Sequence, residues 1–258
     1  MNITPLFIGL AVSLLVASIA WGLSLRQKNV AIVDIFWALF LIVPVALCFY
    51  LNPSPGGIAS AGLFMILVWG LRLSIHLFNR TFGEKEDHRY AEIRSRSGSG
   101  FAFISLFKIF WLQAIIGWII AMPIFLITQS NISFGIIHLA SLVLWFIGLC
   151  FESIADWQLS VFRKKFKGTN KVLDTGLWKY SRHPNYFGEF CMIWGFYFLS
   201  IPSGGWWTIF APLILTYCLF KFTGVARMEK TIDERRPEYK AYSMKTNAFF
   251  PGPTKSLS

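Results

Sequence analysis

GLWKYSRHPNYFGEFCMIWGFYFLS, residues Gly176 to Ser200, decides how this chain is to be read. Its first half is polar and basic, and its second half is an apolar run that ends near Ser200. Tyr180, Arg182, His183, Asn185, Tyr186 and Glu189 are thereby set at the mouth of a membrane helix. Pro184 suits the first turn of that helix, because its φ is fixed near the helical value and the N–H it lacks has no partner there. Asn185 and Glu189 are four apart, so they share one helical face.

The rest of the chain has the composition this segment implies. Its 258 residues are 55% hydrophobic, with a mean hydropathy of +0.55, and several apolar runs reach about twenty residues, the length that spans a bilayer core. The class is all-α, a polytopic membrane protein. Seven spans can be drawn, at Pro5 to Leu25, Val30 to Leu51, Ile58 to Phe78, Phe103 to Ile127, Phe134 to Phe151, Tyr186 to Ile201 and Trp206 to Phe220. The first reads as a retained anchor rather than a signal peptide: its apolar run is long, no positive charge precedes it, and Arg26 and Lys28 follow it. We expect one membrane domain over 1–258, with N-terminal helices in 1–130 on the substrate side and a cofactor-side part in 134–253.

The formal charge of +11 raises nucleic acid as a partner, and its distribution argues against one. Basic residues cluster at Arg26 and Lys28, from Arg80 to Arg96, from Arg163 to Arg182 and from Lys221 to Lys255, whereas the connections Asn52 to Gly57, Thr128 to Ser133 and Pro202 to Gly205 hold no Lys or Arg. Alternating loops of this kind follow the positive-inside rule, which puts the N-terminus outside and the C-terminus in the cytoplasm. A basic cytoplasmic face attracts anionic lipid head groups or a phosphorylated cofactor. Cys48, Cys150, Cys191 and Cys218 sit singly in apolar segments without CxxC or CxxH spacing, and the four histidines show no ligand spacing, so no metal site is expected. Residues Arg96 to Gly100, RSGSG, read as a flexible linker. The tail from Thr223 to Tyr242 reads as a surface helix that FFPGP at Phe249 to Pro253 stops.

Carboxyl groups inside apolar spans carry the functional signal. A charge at a helix centre costs about 2.5–3.5 kcal/mol on insertion scales, so such residues face the bundle interior and are paired. Asp34, Glu152, Asp156 and Glu189 fall in or at the ends of the spans. Glu152 and Asp156 are one turn apart, and Arg163 lies about two turns further along nearly the same face. If the fifth span continues as a helix to about Phe166, that stripe runs from the bilayer into the cytoplasm and can take a long polar ligand. Structural ion pairing with Arg72, Arg163 or Arg182 is the plainer reading of the same carboxylates. Arg72, after Trp69 and Gly70, either snorkels to the interface or clamps a phosphate. No GxGxxG and no GxxxxGK[ST] is present, so any nucleotide binds within a helical bundle.

GLWKYSRHPNYFGE, with ESIADWQ at Glu152 to Gln158 before it and a basic tail containing YKAY at Tyr239 to Tyr242 after it, resembles the steroid 5-alpha-reductase-like membrane proteins. Within them it is similar to the mostly bacterial DUF1295 branch. Segments of the form RHPNY also occur in sterol C14 reductases and, as RHPxYxG, in isoprenylcysteine carboxyl methyltransferases. The resemblance implies a seven-helix bundle open to the cytoplasm, an NADPH site in the C-terminal helices and a lipophilic enone that enters from the membrane. By position it implies that Glu152 and Asp156 match an Asn and Asp pair at the cofactor, and that Arg163 matches an Arg on its phosphate-bearing half. Asn185 and Glu189 match a pair that approaches the nicotinamide, and Arg72 matches another cofactor arginine. Tyr180, Arg182, His183 and Tyr186 join them as cofactor-binding candidates, with Lys179 at the rim. Asp34 stands roughly where those enzymes carry a Glu that faces the steroid, and Trp69 where they carry a Tyr; indole donates a hydrogen bond but does not deliver a proton as phenol does.

The leading expectation is an NADPH-dependent reductase of a carbon–carbon double bond, with Asp34 and Glu189 as candidate acids. A methyltransferase using S-adenosylmethionine on a membrane-embedded acceptor is the second reading; VARMEK at Val225 to Lys230 resembles the acidic pair of such enzymes, with Lys230 in place of the second Glu. A transporter or scaffold is the third, and no repeated halves support it. A monomer with lipid neighbours is expected, in a bacterial inner membrane or, in a eukaryote, the endoplasmic reticulum.

Overall fold

The first helix turns small and polar residues inward and large apolar side chains outward. In the computed structural model, which describes residues 4–222 and 238–255, α1 spans Thr4–Gln27 and buries Gly9, Ser13, Ala17, Ala20 and Ser24. Phe7, Leu15 and Ile19 on the same helix are exposed. The pattern is inverted relative to a water-soluble helix. It is what a bilayer favours, since lipid covers the large side chains and small residues let backbones approach.

The described residues form two compact units, Met1–Phe134 with Ser200–Thr208, and Gly135–Leu199 with Ile209–Ser258. The first holds α1, α2 (Ile32–Phe36), α3 (Leu39–Tyr50), α4 (Gly57–Thr81), α5 (His88–Ser97), α6 (Phe101–Ser105), α7 (Leu112–Ile120) and α8 (Met122–Ile127). Small residues set their spacing. A Cβ on Gly70 of α4 would lie 2.5 Å from Ile42 of α3, and one on Gly62 2.9 Å from Ile127 of α8. Ser13 Oγ donates to the Phe40 carbonyl at 2.9 Å, and Trp118 Nε1 to the Leu6 carbonyl at 2.8 Å, which tie α1 to α3 and α7. Where a linker is expected, Arg96 to Gly100 instead closes α5 and adds a 3₁₀ turn, Gly98–Gly100, that feeds directly into α6. Gly98 makes the junction at φ 57°, a left-handed conformation that glycine adopts without strain.

The second unit holds α9 (Ile136–Lys165), α10 (Pro184–Ser200), α11 (Phe210–Tyr217) and, after 223–237, α12 (Glu238–Lys245). Among the described residues there is no strand. Among the described residues, five helical runs are long and apolar enough to cross a membrane: Thr4–Gln27, Ile32–Tyr50 (α2 with α3), Gly57–Thr81, His88–Ile120 (α5 to α7) and Ile136–Lys165. The protein is an integral membrane protein built of helices. The sixth and seventh expected spans correspond to α10, at 17 residues, and to α11, which continues as a π-helical turn, Cys218–Phe222.

Candidate functional site

The second unit brings the carboxylates of α9 against the polar start of α10. α9 runs unbroken for 30 residues to Lys165, so the stripe Glu152, Asp156, Arg163 lies on one continuous helix. Its buried face is His138, Ser141, Trp145, Gly148, Glu152, Ala155 and Asp156. Ile136, Leu139, Val143, Phe146, Ile154 and Trp157 are exposed. Polar groups therefore look inward and hydrocarbon looks outward, as intramembrane ionisable residues require.

Glycines on both helices bring this face close to α10. A Cβ on Gly148 would stand 2.5 Å from the Gly188 carbonyl oxygen, and one on Gly188 2.5 Å from both the Gly148 carbonyl and the Glu152 amide nitrogen. Further along, Gly195 faces Trp145 at 3.0 Å. At the polar end of this seam Asn185 Nδ2 donates to Asp156 Oδ1 at 3.2 Å. Asp156 and Glu152 are 5% and 3% exposed, so both carboxyl groups are inside the unit.

Glu189, one turn beyond Asn185, is within electrostatic reach of the Cys218 thiol after α11. Trp194 Nε1 donates to Thr216 Oγ1 at 3.3 Å on the same side. α10 thus lies between α9 and α11, and Asn185 and Glu189 both turn toward neighbouring helices.

The residues before Pro184 are anchored from two directions. From α9, Gln158 Oε1 accepts the Leu177 N–H at 3.1 Å, and the Ala155 carbonyl accepts Trp178 Nε1 at 3.2 Å. From the C-terminal strap, the Asn247 carbonyl accepts the Arg182 N–H at 2.9 Å. Arg182 Nη1 donates to the Ser243 and Thr246 carbonyls at 2.7 and 3.2 Å. Ser181 Oγ donates to the Phe249 carbonyl at 2.6 Å, and Tyr242 Oη to the Trp178 carbonyl at 2.6 Å. His183 is buried and lies parallel to Tyr186, with ring centroids 5.5 Å apart. Tyr180 stays 45% exposed, and Arg163 is exposed near the end of α9.

The strap is what sequence reasoning missed. Residues 246–255 are not helical, yet Phe249 and Phe250 pack edge-on to Phe187 and Phe190 of α10 at 5.8–6.3 Å. The helix ends at Lys245, four residues before FFPGP, so that segment does not stop it; its rings dock the strap instead. Two aromatic residues followed by Pro-Gly-Pro were the available signal.

Arg72 and Asp34 belong to the first unit. Arg72 is half-buried on α4. Asp34 Oδ1 accepts Tyr90 Oη at 2.7 Å and Oδ2 accepts Arg89 Nη2 at 3.2 Å, while Gln113 Nε2 donates to Tyr90 Oη at 3.4 Å. Just before α5, Arg94 grips Glu86 at 2.8 and 2.9 Å. That guanidinium, with the Val30 N–H against the opposing effect of burial, holds the Glu86 carboxyl below its ordinary range. Trp69 is fully buried. VARMEK, Val225 to Lys230, lies outside the described residues.

The chain matches the family described as DUF1295, proteins of unknown function, over residues 20–246. It belongs to the DUF1295 family. It is also 28% identical, over 97% of its own length and 80% of the relative's, to an uncharacterised protein of Schizosaccharomyces pombe. No solved structure matches it. The family match takes in both units, all of α9 and α10 and the described part of α12.

Proposed function

We propose that this DUF1295 protein is a membrane-embedded, NADPH-dependent reductase acting on the carbon–carbon double bond of a lipophilic enone. The carrying observation is the Asn185 to Asp156 hydrogen bond at 3.2 Å across the α9–α10 seam, which turns a motif into a polar wall inside a membrane protein. The reading includes seven crossings, an external N-terminus and a cytoplasmic C-terminus, so that the wall opens to the side on which soluble nucleotides occur.

The donor set fits a dinucleotide. Asp156 and Glu152 are buried acceptors for amide or ribose hydroxyl donors, and an Asn185 amide that donates to Asp156 keeps its carbonyl as an acceptor. Arg163, exposed on α9, offers a forked donor for phosphate. Arg182 has a guanidinium nitrogen committed to the strap carbonyls, so its part is to hold the wall in place. Tyr180, His183 and Tyr186 supply flat aromatic surface around it.

Reduced nicotinamide, when bound, supplies the hydride. The chain must then bind and orient the enone, exclude water, and place a donor at the carbonyl oxygen where negative charge develops. Glu189 is the carboxyl on α10 assigned that proton. Asp34 is hydrogen-bonded by Tyr90 and Arg89, which favours a part in holding the substrate side over delivery of a proton.

The test is a parallel titration of the detergent-solubilised protein with NADPH and S-adenosylmethionine. The reductase reading expects saturable NADPH binding that Arg163→Ala weakens by about tenfold or more, the loss of one charge-assisted phosphate contact. Binding of S-adenosylmethionine but not NADPH would replace it with a methyltransferase, and binding of neither would remove both.

A further inference from the structure

Three lysines from three separate chain segments line one cavity in the second unit. The cavity, of about 620 Å³, is lined by Lys179, Lys245 and Lys255, with Asp174, Glu238 and Thr246 among the other walls. Backbone ties fix the arrangement. The Lys255 N–H donates to the Lys245 carbonyl at 2.9 Å, and Thr246 Oγ1 donates to the Lys179 carbonyl at 3.3 Å. Tyr242 Oη, bound to the Trp178 carbonyl at 2.6 Å, anchors the helix that carries Lys245. The strap and the segment before α10 are thus joined at the points where the lysines emerge.

Holding three ammonium groups around one space is unfavourable unless something neutralises them. Among the described residues none of the three forms an ion pair; Lys179 lies only over its neighbour's ring, Tyr180, at 5.8 Å. The two carboxylates do not cancel the set, since three positive charges against two negative leave +1. Ammonium groups donate, carboxylates accept, and a threonine hydroxyl does both. A ligand that satisfies all of them carries an anion at one end and hydroxyl donors at the other. The space exceeds what a bare inorganic ion needs and falls in the range of small-molecule sites.

We propose that this cavity binds a phosphoryl group carried on a hydroxylated scaffold, with the phosphate against Lys179, Lys245 and Lys255 and the hydroxyl groups toward Asp174 and Glu238. The scaffold is the ribose of a soluble nucleotide or the polyol head group of a membrane lipid. The site stands whether or not the α9–α10 wall takes a dinucleotide.

Lysine acetylation read by mass spectrometry tests it on the full chain, with exposed Lys85 of the first unit as internal control. One arm adds adenosine 5′-monophosphate in detergent; the other places the protein in phosphatidylcholine nanodiscs with or without phosphatidylinositol 4-phosphate. The expected result is slowing of acetylation at Lys179, Lys245 and Lys255 by about fivefold or more in at least one arm, with Lys85 unchanged. Protection in the first arm assigns a nucleotide, and protection in the second alone assigns a lipid. Equal protection by adenosine, which lacks the phosphate, would overturn the proposal, as would protection in neither arm. Lys245→Gln with Lys255→Gln should weaken the effective probe about twenty-fold, roughly fivefold for each partly exposed ion pair lost, and the two Arg variants should restore it. Unchanged binding in the Gln pair would equally overturn the site.

Discussion

Replacing Gly188 by alanine tests the close approach of α9 and α10. The new Cβ would meet the Glu152 amide nitrogen and the Gly148 carbonyl oxygen at 2.5 Å and Glu152 Cβ at 2.8 Å. Ordinary contact begins at 3.4 Å, so the helices must part by 3.4 − 2.5, or 0.9 Å. The two nearest obstacles are backbone atoms, so no side-chain rotation relieves the clash. Overpacking of this kind costs about 1–3 kcal/mol. Adding 0.9 Å to the 3.2 Å separation of Asn185 and Asp156 carries that pair out of hydrogen-bond range, a further ~0.5–1.5 kcal/mol. Gly188→Ala should therefore destabilise by about 1.5–4.5 kcal/mol, the sum of those two ranges. Unfolding in a graded detergent–SDS series measures it. Gly22→Ala is the control: nothing lies within 4 Å of its added Cβ, and alanine is the better helix former. A Gly188→Ala protein within about 0.5 kcal/mol of wild type, the size of an ordinary neutral substitution, would refute the seam. A destabilised variant that still bound NADPH with wild-type affinity would refute the claim that the seam positions the site.

Tyr242→Phe removes the 2.6 Å bond to the Trp178 carbonyl and should cost about 1 kcal/mol; limited proteolysis should then cut the strap faster than in wild type, and an unchanged rate would show that this hydroxyl does not anchor it. Glu86 has a depressed folded-state pKa because of Arg94 and the Val30 N–H, so its contribution is fully present above the unfolded carboxylate value, near 4.3, and is lost as pH falls through the lower folded value. The stability difference between wild type and Glu86→Gln should accordingly be flat from neutral pH to about pH 5 and shrink below that, and a difference that grew on acidification would contradict the pairing.

Much of the helical membrane architecture was legible because hydrocarbon length is a one-dimensional signal. The apolar runs of the first five spans recur as the five membrane-length helices, and α9 continues to Lys165 as the carboxylate stripe anticipated. Pro184 starts α10. Helix contacts are three-dimensional and were not readable. Nothing in the spacing of Gly148 and Gly188 says that each fills the other's missing side chain, because the two are forty residues apart and meet only after packing. RSGSG misled because glycine and serine mark flexibility in isolation, whereas a left-handed glycine also lets one helix run into the next. The strap escaped because its bonds use backbone carbonyls, which every sequence has.

The same bonds show what the RHPNY segment is for. Ser181 and Arg182 hold strap carbonyls, Pro184 opens the helix, and His183 is buried against Tyr186. Most of the segment is thus occupied in building a corner between α10 and the C-terminal strap. Asn185 makes a side-chain bond to the facing carboxylate, at Asp156, and Glu189 is the next residue on its face. On the proposed function, a corner of that design would serve either cofactor chemistry, reductase or methyltransferase. What chooses between those chemistries must then lie off the segment, in the charges near it: Glu152 and Asp156 on α9, Arg163 beyond them, and Lys245 and Lys255 near the C-terminus. Exchanging Asn185 would weaken any cofactor, whereas exchanging Arg163 should separate a phosphate-bearing dinucleotide from a sulfonium, which carries positive charge and gains nothing from a guanidinium.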